Sequence, residues 1–349
     1  MNKPRTVTLM AVVALSLFAS PAVQTSQALP SSGGHSSGGV IVWTHRANAG
    51  SEHLLIARSD GSSQRELTPA VAGRVEYDAQ VSPDGAWVAY GREEGDSVRI
   101  RLVRPDGSDN HEVTVPCPAE FCGEFSPTWL SSKRIAFSQV RGPFDEEGNA
   151  ASAVLFGIGV DGDGFTRLSQ PGIDGIYEDQ YLRVSARGDY RIFKRLRTAD
   201  LRAALFRADL HGRSVTQITP WSLNADVYDL STAQHGASRD LLVFESYGRG
   251  TSEQTYVDLA VVPATCPSLT SCTRQIRWLT DNAATGRRNA NPQWSPDGRS
   301  LVFTDRSSIA TEDVQIWTQR FPAGQRRLIS TSPDFDYRPA WGVGPNRHS

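Results

Sequence analysis

The stretch Trp294-Ser-Pro-Asp-Gly298, running into Arg299-Ser300-Leu301-Val302-Phe303, reads as a strand end, a tight turn and an apolar return strand. Proline presets the backbone of the turn, Asp caps it with its own side chain, and Gly takes the positive φ. The phrase returns as Val81-Ser-Pro-Asp84-Gly85 before Trp87-Val88-Ala89-Tyr90. Weaker copies are Trp129-Leu-Ser-Ser with Ile135-Ala136-Phe137, and Val184-Ser-Ala-Arg-Gly188 with Ile192-Phe193. A fifth copy keeps only the return strand, Leu241-Leu242-Val243-Phe244.

A second pattern follows each unit: an alternating strand ending near Asp-Gly, then a short strand ending in Leu-Thr or a relative of it. Examples are Leu54–Gly61 before Glu66-Leu67-Thr68, and Ile100–Gly107 before Glu112-Val113-Thr114. In the fifth copy the Cys266–Cys272 loop replaces Asp-Gly, ahead of Trp278-Leu279-Thr280. Six copies of about 50 residues, each with four short antiparallel strands, predict an all-β, six-bladed β-propeller over residues 40–341. Val40-Ile41-Val42-Trp43 lacks an entering partner, and Tyr337-Arg-Pro-Ala-Trp341 lacks a return strand. Their pairing would close the ring and leave no open sheet edge at that point.

These repeats resemble those of the TolB-type β-propeller family, within the larger WD40-like group. The resemblance spans roughly residues 40–341, with its best copies at Val81–Gly107 and Trp294–Ile329. It implies a six-bladed propeller, usually exported in bacteria, that binds partners and has no defined chemistry of its own. The family's namesake carries a separate N-terminal domain before its propeller. Here only residues 29–39 separate the expected cleavage point from the first strand, so that domain is expected to be missing.

Export is also legible from the residues. Lys3 and Arg5 precede an apolar run from about Val7 to Phe18, too short to span a bilayer and suited to a secretory signal. Cleavage is expected after Ala28, with Ala22 as the alternative, and an uncleaved anchor as the competing reading of the run. No cysteine follows the run, which argues against a lipoprotein. Residues 29–39, LPSSGGHSSGG, read as a flexible linker, and residues 342–349 as a tail. No later apolar segment is long enough to cross a membrane, so a soluble, secreted or periplasmic (cell-envelope) monomer is expected. Cys117/Cys122 and Cys266/Cys272 read as two local disulfides in an oxidising compartment; a four-cysteine zinc site is the alternative. The net charge is −2, with 36 basic and 38 acidic residues, and gives no reason to expect nucleic acid. Of the basic residues only Lys3, Lys133 and Lys194 are lysines.

Enzymatic signatures are sparse. Outside the Gly/Ser linker, where Gly34–Gly38 meets the pattern by composition alone, the chain contains no Gly-x-Ser-x-Gly, and His111-Glu112-Val-Thr-Val lacks the second histidine of a zinc-protease helix. The seven histidines are scattered, and the repeated Asp-Gly pairs serve turns. The stretch Arg183–Arg213 carries nine Arg or Lys residues and reads as a solvated face or an anion-binding edge.

One register carries a sharper expectation. Five residues before the tryptophan place stand Glu76, Glu124, Asp179, Asn289 and Asp336; the fifth repeat offers Asp226 or Asp229. If these side chains pointed around one mouth of the channel, they would form a hard-oxygen ring suited to Ca²⁺ or to a basic peptide. The competing reading has each acid capping its own loop or paired with a local arginine. The function expected is therefore an exported, non-enzymatic propeller binding a protein or glycan at its channel mouth, without a catalytic residue or a certain cofactor. The alternative is a calcium-dependent hydrolase or polysaccharide-degrading enzyme with its site in the channel. It would need a base beside the acids, and His235 lies nearest the register.

Overall fold

The structure, a computed structural model, describes residues 39–47, 50–142, 153–170, 173–248, 256–283, 286–307, 313–332 and 335–345. The expected signal segment 1–28, the linker up to residue 38 and the end of the tail, 346–349, lie outside the described residues.

The chain is all-β. Each sheet is a run of four strands, the last only two or three residues long. Sheets three to six are Cys122–Ser131 to Thr166–Arg167, Tyr177–Val184 to Thr216–Gln217, Ala225–Leu230 to Arg277–Trp278, and Arg288–Trp294 to Arg326–Leu328. Sheet two runs from Arg74–Val81 to His111–Glu112. Sheet one combines the chain's two ends. Phe335–Gly342 pairs antiparallel with Val40–Ala47, which continues into Ser51–Arg58 and Arg65–Glu66. Sheets one and two touch through a single parallel bridge, Glu52↔Val75. Sheets of four antiparallel strands fit a propeller.

The repeat pattern has a physical basis at each turn. Asp84 Oδ1 accepts from Ser82 Oγ at 2.6 Å and from the Ala86 N–H at 3.1 Å, and Asp297 repeats this with Ser295 and Arg299. Gly85 and Gly298 follow at φ 72° and 66°, which glycine reaches without strain. The recurring Thr or Ser closes the short outer strand. Thr68, Thr219, Thr280 and Ser330 each accept a backbone N–H of the neighbouring strand, from Leu54, Leu205, Leu259 and Ile316 respectively.

Packing lies between sheets rather than within them. Ile41, Trp43 and Leu55 of sheet one meet Val302, Ile316 and Ile329 of sheet six, with Trp341 in the same cluster. Trp294 packs against Leu241, Val243 and Val261 of sheet five, and Trp129 lies against the cluster joining sheets two and three. First strands of successive sheets touch in order, and those of sheets six and one touch as well. The Cys117–Cys122 and Cys266–Cys272 disulfides are both formed, with Cα–Cα distances of 5.7 and 5.3 Å, so the zinc alternative is set aside. The Cys266–Cys272 loop holds a short α-helix, Leu269–Gln275, whose Ser268 cap accepts from the Ser271 N–H. No helix of the described residues is long and apolar enough to cross a membrane.

Candidate functional site

The five residues of the predicted register are buried and occupied. Glu76 accepts Arg92 Nε at 2.8 Å and the Thr68 hydroxyl. Asp179 is held by both ends of the Arg195 fork, at 2.7 and 2.9 Å. Glu124 takes Gln139 at 3.3 Å and Arg99 at 3.4 Å. Asn289 Oδ1 accepts from Asn282 at 3.0 Å. Asp336 Oδ1 accepts from Trp43 Nε1 at 2.9 Å and faces His45 Nδ1 at 2.8 Å. Each side chain thus turns to partners of its own or the neighbouring sheet, and the structure does not bring the five together. Among the described residues no three His, Cys, Asp or Glu side chains form a group that could hold a metal ion. Burial raises Asp179 despite Arg195, and lifts Glu124 to about 7 despite Arg99.

Asp229 requires a correction of register. In sheet five Leu230 pairs with Leu242 as Trp294 pairs with Leu301 in sheet six. Five residues before Leu230 stands Ala225, opposite Ser246, where sheet six places Asn289 opposite Asp305. Asp229 instead lies one residue before the tryptophan place. There it accepts Arg183 Nε at 3.0 Å and the Trp294 N–H at 2.9 Å. The basic stretch is similarly occupied: Lys194 pairs with Asp226, Arg195 with Asp179, Arg197 with Asp200 and Arg213 with Asp209.

The side chains that meet between sheets lie two positions further along. Asp78, Ser126, Tyr181, Asn291 and Arg338 each stand three residues before the tryptophan place, with φ of 54°, 53°, 53°, 51° and 52°. Each falls within the register shift of a first strand, so each is the extra residue of a β-bulge. A bulge turns its residue out of the pleat. Asp78 of sheet two consequently receives Arg338 of sheet one at 2.9 Å, Ser126 of sheet three at 2.9 Å and Tyr181 of sheet four at 3.3 Å. Arg183 bridges Asp229 and Gln80 one layer beyond. The cavity left among these strands measures about 20 Å³, room for about one water molecule. The sequence did carry a signal for this layer. Ser126, Asn291 and Arg338 each precede a proline, and proline inside a strand marks a bulge.

Polar contacts continue outward from this knot. The ring of Tyr181 carries Lys194 Nζ at 4.8 Å, and Lys194 binds Asp226 at 2.6 Å. Glu245, 1% exposed, accepts the Asn291 N–H at 2.6 Å and the Tyr247 hydroxyl at 3.1 Å. Burial, and then the Asp226 charge, lift Glu245 to about 7. On the opposite flank Tyr337 donates to Glu52, which also holds Arg46 at 2.6 Å. Burial and the Glu52 charge raise Glu93. Sequence reasoning also missed the pairing of His45 with Asp336, because it counted the histidines as scattered while one strand of the N-terminal end places His45 beside the C-terminal acid.

No family model matches the sequence, and no curated protein matches it. Solved structures do resemble the fold. TolB from Acinetobacter baumannii superposes with a TM-score of 0.62 at 16% identity, over 87% of this chain and 67% of that one. A putative TolB from Agrobacterium tumefaciens gives 0.57 at 15% identity, over 87% and 90%. The hydrazine synthase of Kuenenia stuttgartiensis gives 0.60 at 13% identity, over 88% of this chain and 47% of that one. At such identities the likeness concerns the fold, and one of the three belongs to an enzyme.

Proposed function

We propose that the six sheets are the blades of a closed propeller, sealed by Phe335–Gly342 on Val40–Ala47, and that the chain is an exported, non-enzymatic binding protein. Its ligand is a basic segment of a partner protein, received at the mouth of the central channel. The observation that carries this reading is the network around Asp78. The knot leaves a cavity of only about 20 Å³, so a ligand would stop at the mouth, where half-buried Glu93 is raised by burial and by the Glu52 charge. A lysine or arginine from a partner would supply the missing countercharge. Asp78, the central acid, is already engaged by three donors, which suits a fixed binding surface better than a general base.

Binding of tetralysine, measured by calorimetry at low salt, should be detectable, weaken as salt rises, and fall at least threefold in Glu93→Gln/Asp226→Asn. Equal affinity of the double variant removes the mouth as the site. Export is checked separately: the isolated protein should begin at Leu29 and carry both disulfides in its intact mass. A second, enzymatic reading is favoured only by His45 on Asp336, a ring nitrogen oriented by a buried carboxylate. A hydrolysis screen with His45→Gln as control decides it, since activity lost in the variant would replace the binding reading.

A further inference from the structure

The second disulfide builds a structure of its own at the rim of sheet five. Cys266–Cys272 and the Ser268 cap hold the helix Leu269–Gln275 against the sheet. Its last turn carries Arg274 to the edge of a cavity of about 360 Å³, and Arg277, in the strand paired to Val261, stands beside it. That volume lies within the range of about 300–1,000 Å³ typical of small-molecule sites. The cavity wall is apolar, made by Leu241, Val261 and Pro263.

Among the described residues the two guanidiniums have no countercharge. Neither Arg274 nor Arg277 shares an ion pair with a carboxylate among the described residues, and the contact Arg277 does make is with the ring of Phe321, 5.8 Å away. Asp240, next to Leu241 in the chain, is already held by Arg187, Arg239 and Tyr190. Arg207, near the same loop, is satisfied by the carbonyls of Ala264 and Cys266. An apolar wall beside two exposed, unpaired guanidiniums matches a ligand with one carboxylate and a hydrocarbon body. The body leaves water against the wall, and the carboxylate takes charge-assisted hydrogen bonds at the rim.

We infer that this cavity is a binding site for a small, free aliphatic carboxylate, independent of the channel mouth. The test is calorimetry on the whole chain, with both disulfides intact, using octanoate as probe. Octanoate should bind, and octanol and inorganic phosphate should each bind at least tenfold more weakly, lacking the charge and the body respectively. Arg274→Gln/Arg277→Gln should weaken octanoate at least tenfold with an unchanged melting temperature, because both side chains are exposed. Ala237→Trp, at an exposed turn on the cavity edge, should block it without touching either arginine. The inference is overturned if octanol or phosphate matches octanoate, or if the arginine variant binds as before. Tighter binding of N-acetyl-leucine than of octanoate would also overturn it, since the occupant would then be a peptide's terminal carboxylate.

Discussion

Sheets five and six are neighbours built to the same plan; they share the Leu-Val-Phe of the return strand and differ at the tryptophan place, the bulge and the turn. Sheet six has Trp294 at the end of its first strand, Asn291-Pro292 at its bulge and Ser-Pro-Asp297-Gly298 at its turn. Sheet five has Leu230, Val227 without a left-handed backbone, and the loop from Ser231 to Asp240 in place of that turn. Sheet six spends Ser295 and Asp297 on its own turn, and Gln293 and Thr304 accept backbone N–H groups of Trp341 and Arg338 in sheet one. Sheet five carries the raised Glu245, the disulfide-held helix and the cavity beside it. Departure from the repeat in sheet five therefore goes with a buried acid raised by desolvation and with a cavity at the rim, whereas conforming sheet six leaves Asn289 Nδ2 and Trp294 Nε1 buried without hydrogen-bond partners among the described residues.

The largest expected effect tests whether the sheets depend on one another at all. Removing residues 335–349 takes away the strand paired with Val40–Ala47 and the Trp341 side chain between sheets one and six. The edge of Val40–Ala47 would then be unpaired. The shortened chain should lose cooperative unfolding, followed by circular dichroism in denaturant. A transition like that of the whole chain would show that sheets five and six fold without the seam, and the comparison between them would be purely local.

The next effect separates the two sheets at the register of buried acids. Asp179→Ala leaves Arg195 buried without its partner, at a cost of about 3–5 kcal/mol by analogy with broken buried ion pairs. Sheet five already holds Ala225 at that position, with no ion pair to break, and Ala225→Ser, which buries one hydroxyl in the core, should cost less, about 1–3 kcal/mol. Denaturant melts of the two variants give the difference directly. Similar losses would mean that the register is not equivalent between sheets.

How much of this could be read in advance follows from what repeats. The turn phrase, the Leu-Thr ends and the tryptophan place are set by local backbone chemistry, so the strands and their pairing were legible. The acid register was visible as a register, but its direction was not. Whether Glu76 faces the axis or Arg92 depends on the bulge at Asp78, and bulge geometry is decided by neighbouring sheets. The site in sheet five was illegible for the opposite reason. Where the repeat fails, counting residues from it misplaces them, as it misplaced Asp229.

Acidity provides a third and smaller test. Glu245 titrates near 7 in the folded protein and at the ordinary 4.5 when unfolded. Between those values the folded state binds more protons than the unfolded one, so stability falls as pH rises through that window. The full span is worth at most about 3 kcal/mol, at 1.36 kcal/mol per unit. Glu245→Gln keeps an acceptor for the Asn291 N–H and removes the charge. It should be more stable than the parent above pH 7 and show a shallower pH profile from 7 to 4.5. Glu124, in regular sheet three and also near 7, should leave a residual slope in that variant. A profile unchanged by the substitution would assign the slope to the other raised acids, Glu124, Asp179 and Glu93, and end the claim that buried Glu245 sets sheet five apart.

The smallest effect concerns the disulfide that sheet five carries where other sheets have Asp-Gly. Cys266 and Cys272 close a loop with a sequence separation of 6, so loop entropy accounts for about 2 kcal/mol. Cys117 and Cys122 close a loop with a separation of 5, and on entropy alone the two should be worth nearly the same. Their surroundings differ. Cys266 and Cys272 lie in the core cluster joining sheets four and five, whereas Cys117 is exposed. Replacing Cys266 and Cys272 by alanine should therefore cost slightly more than replacing the other pair, through lost packing added to the same entropy. It should also loosen the helix that carries Arg274, seen as faster amide exchange across Leu269–Gln275 with the rest of sheet five unchanged. Equal losses in the two double variants, with no change in exchange, would mean that the helix is held by its apolar contacts alone. The bond would then add nothing to the feature that most sets sheet five apart from sheet six.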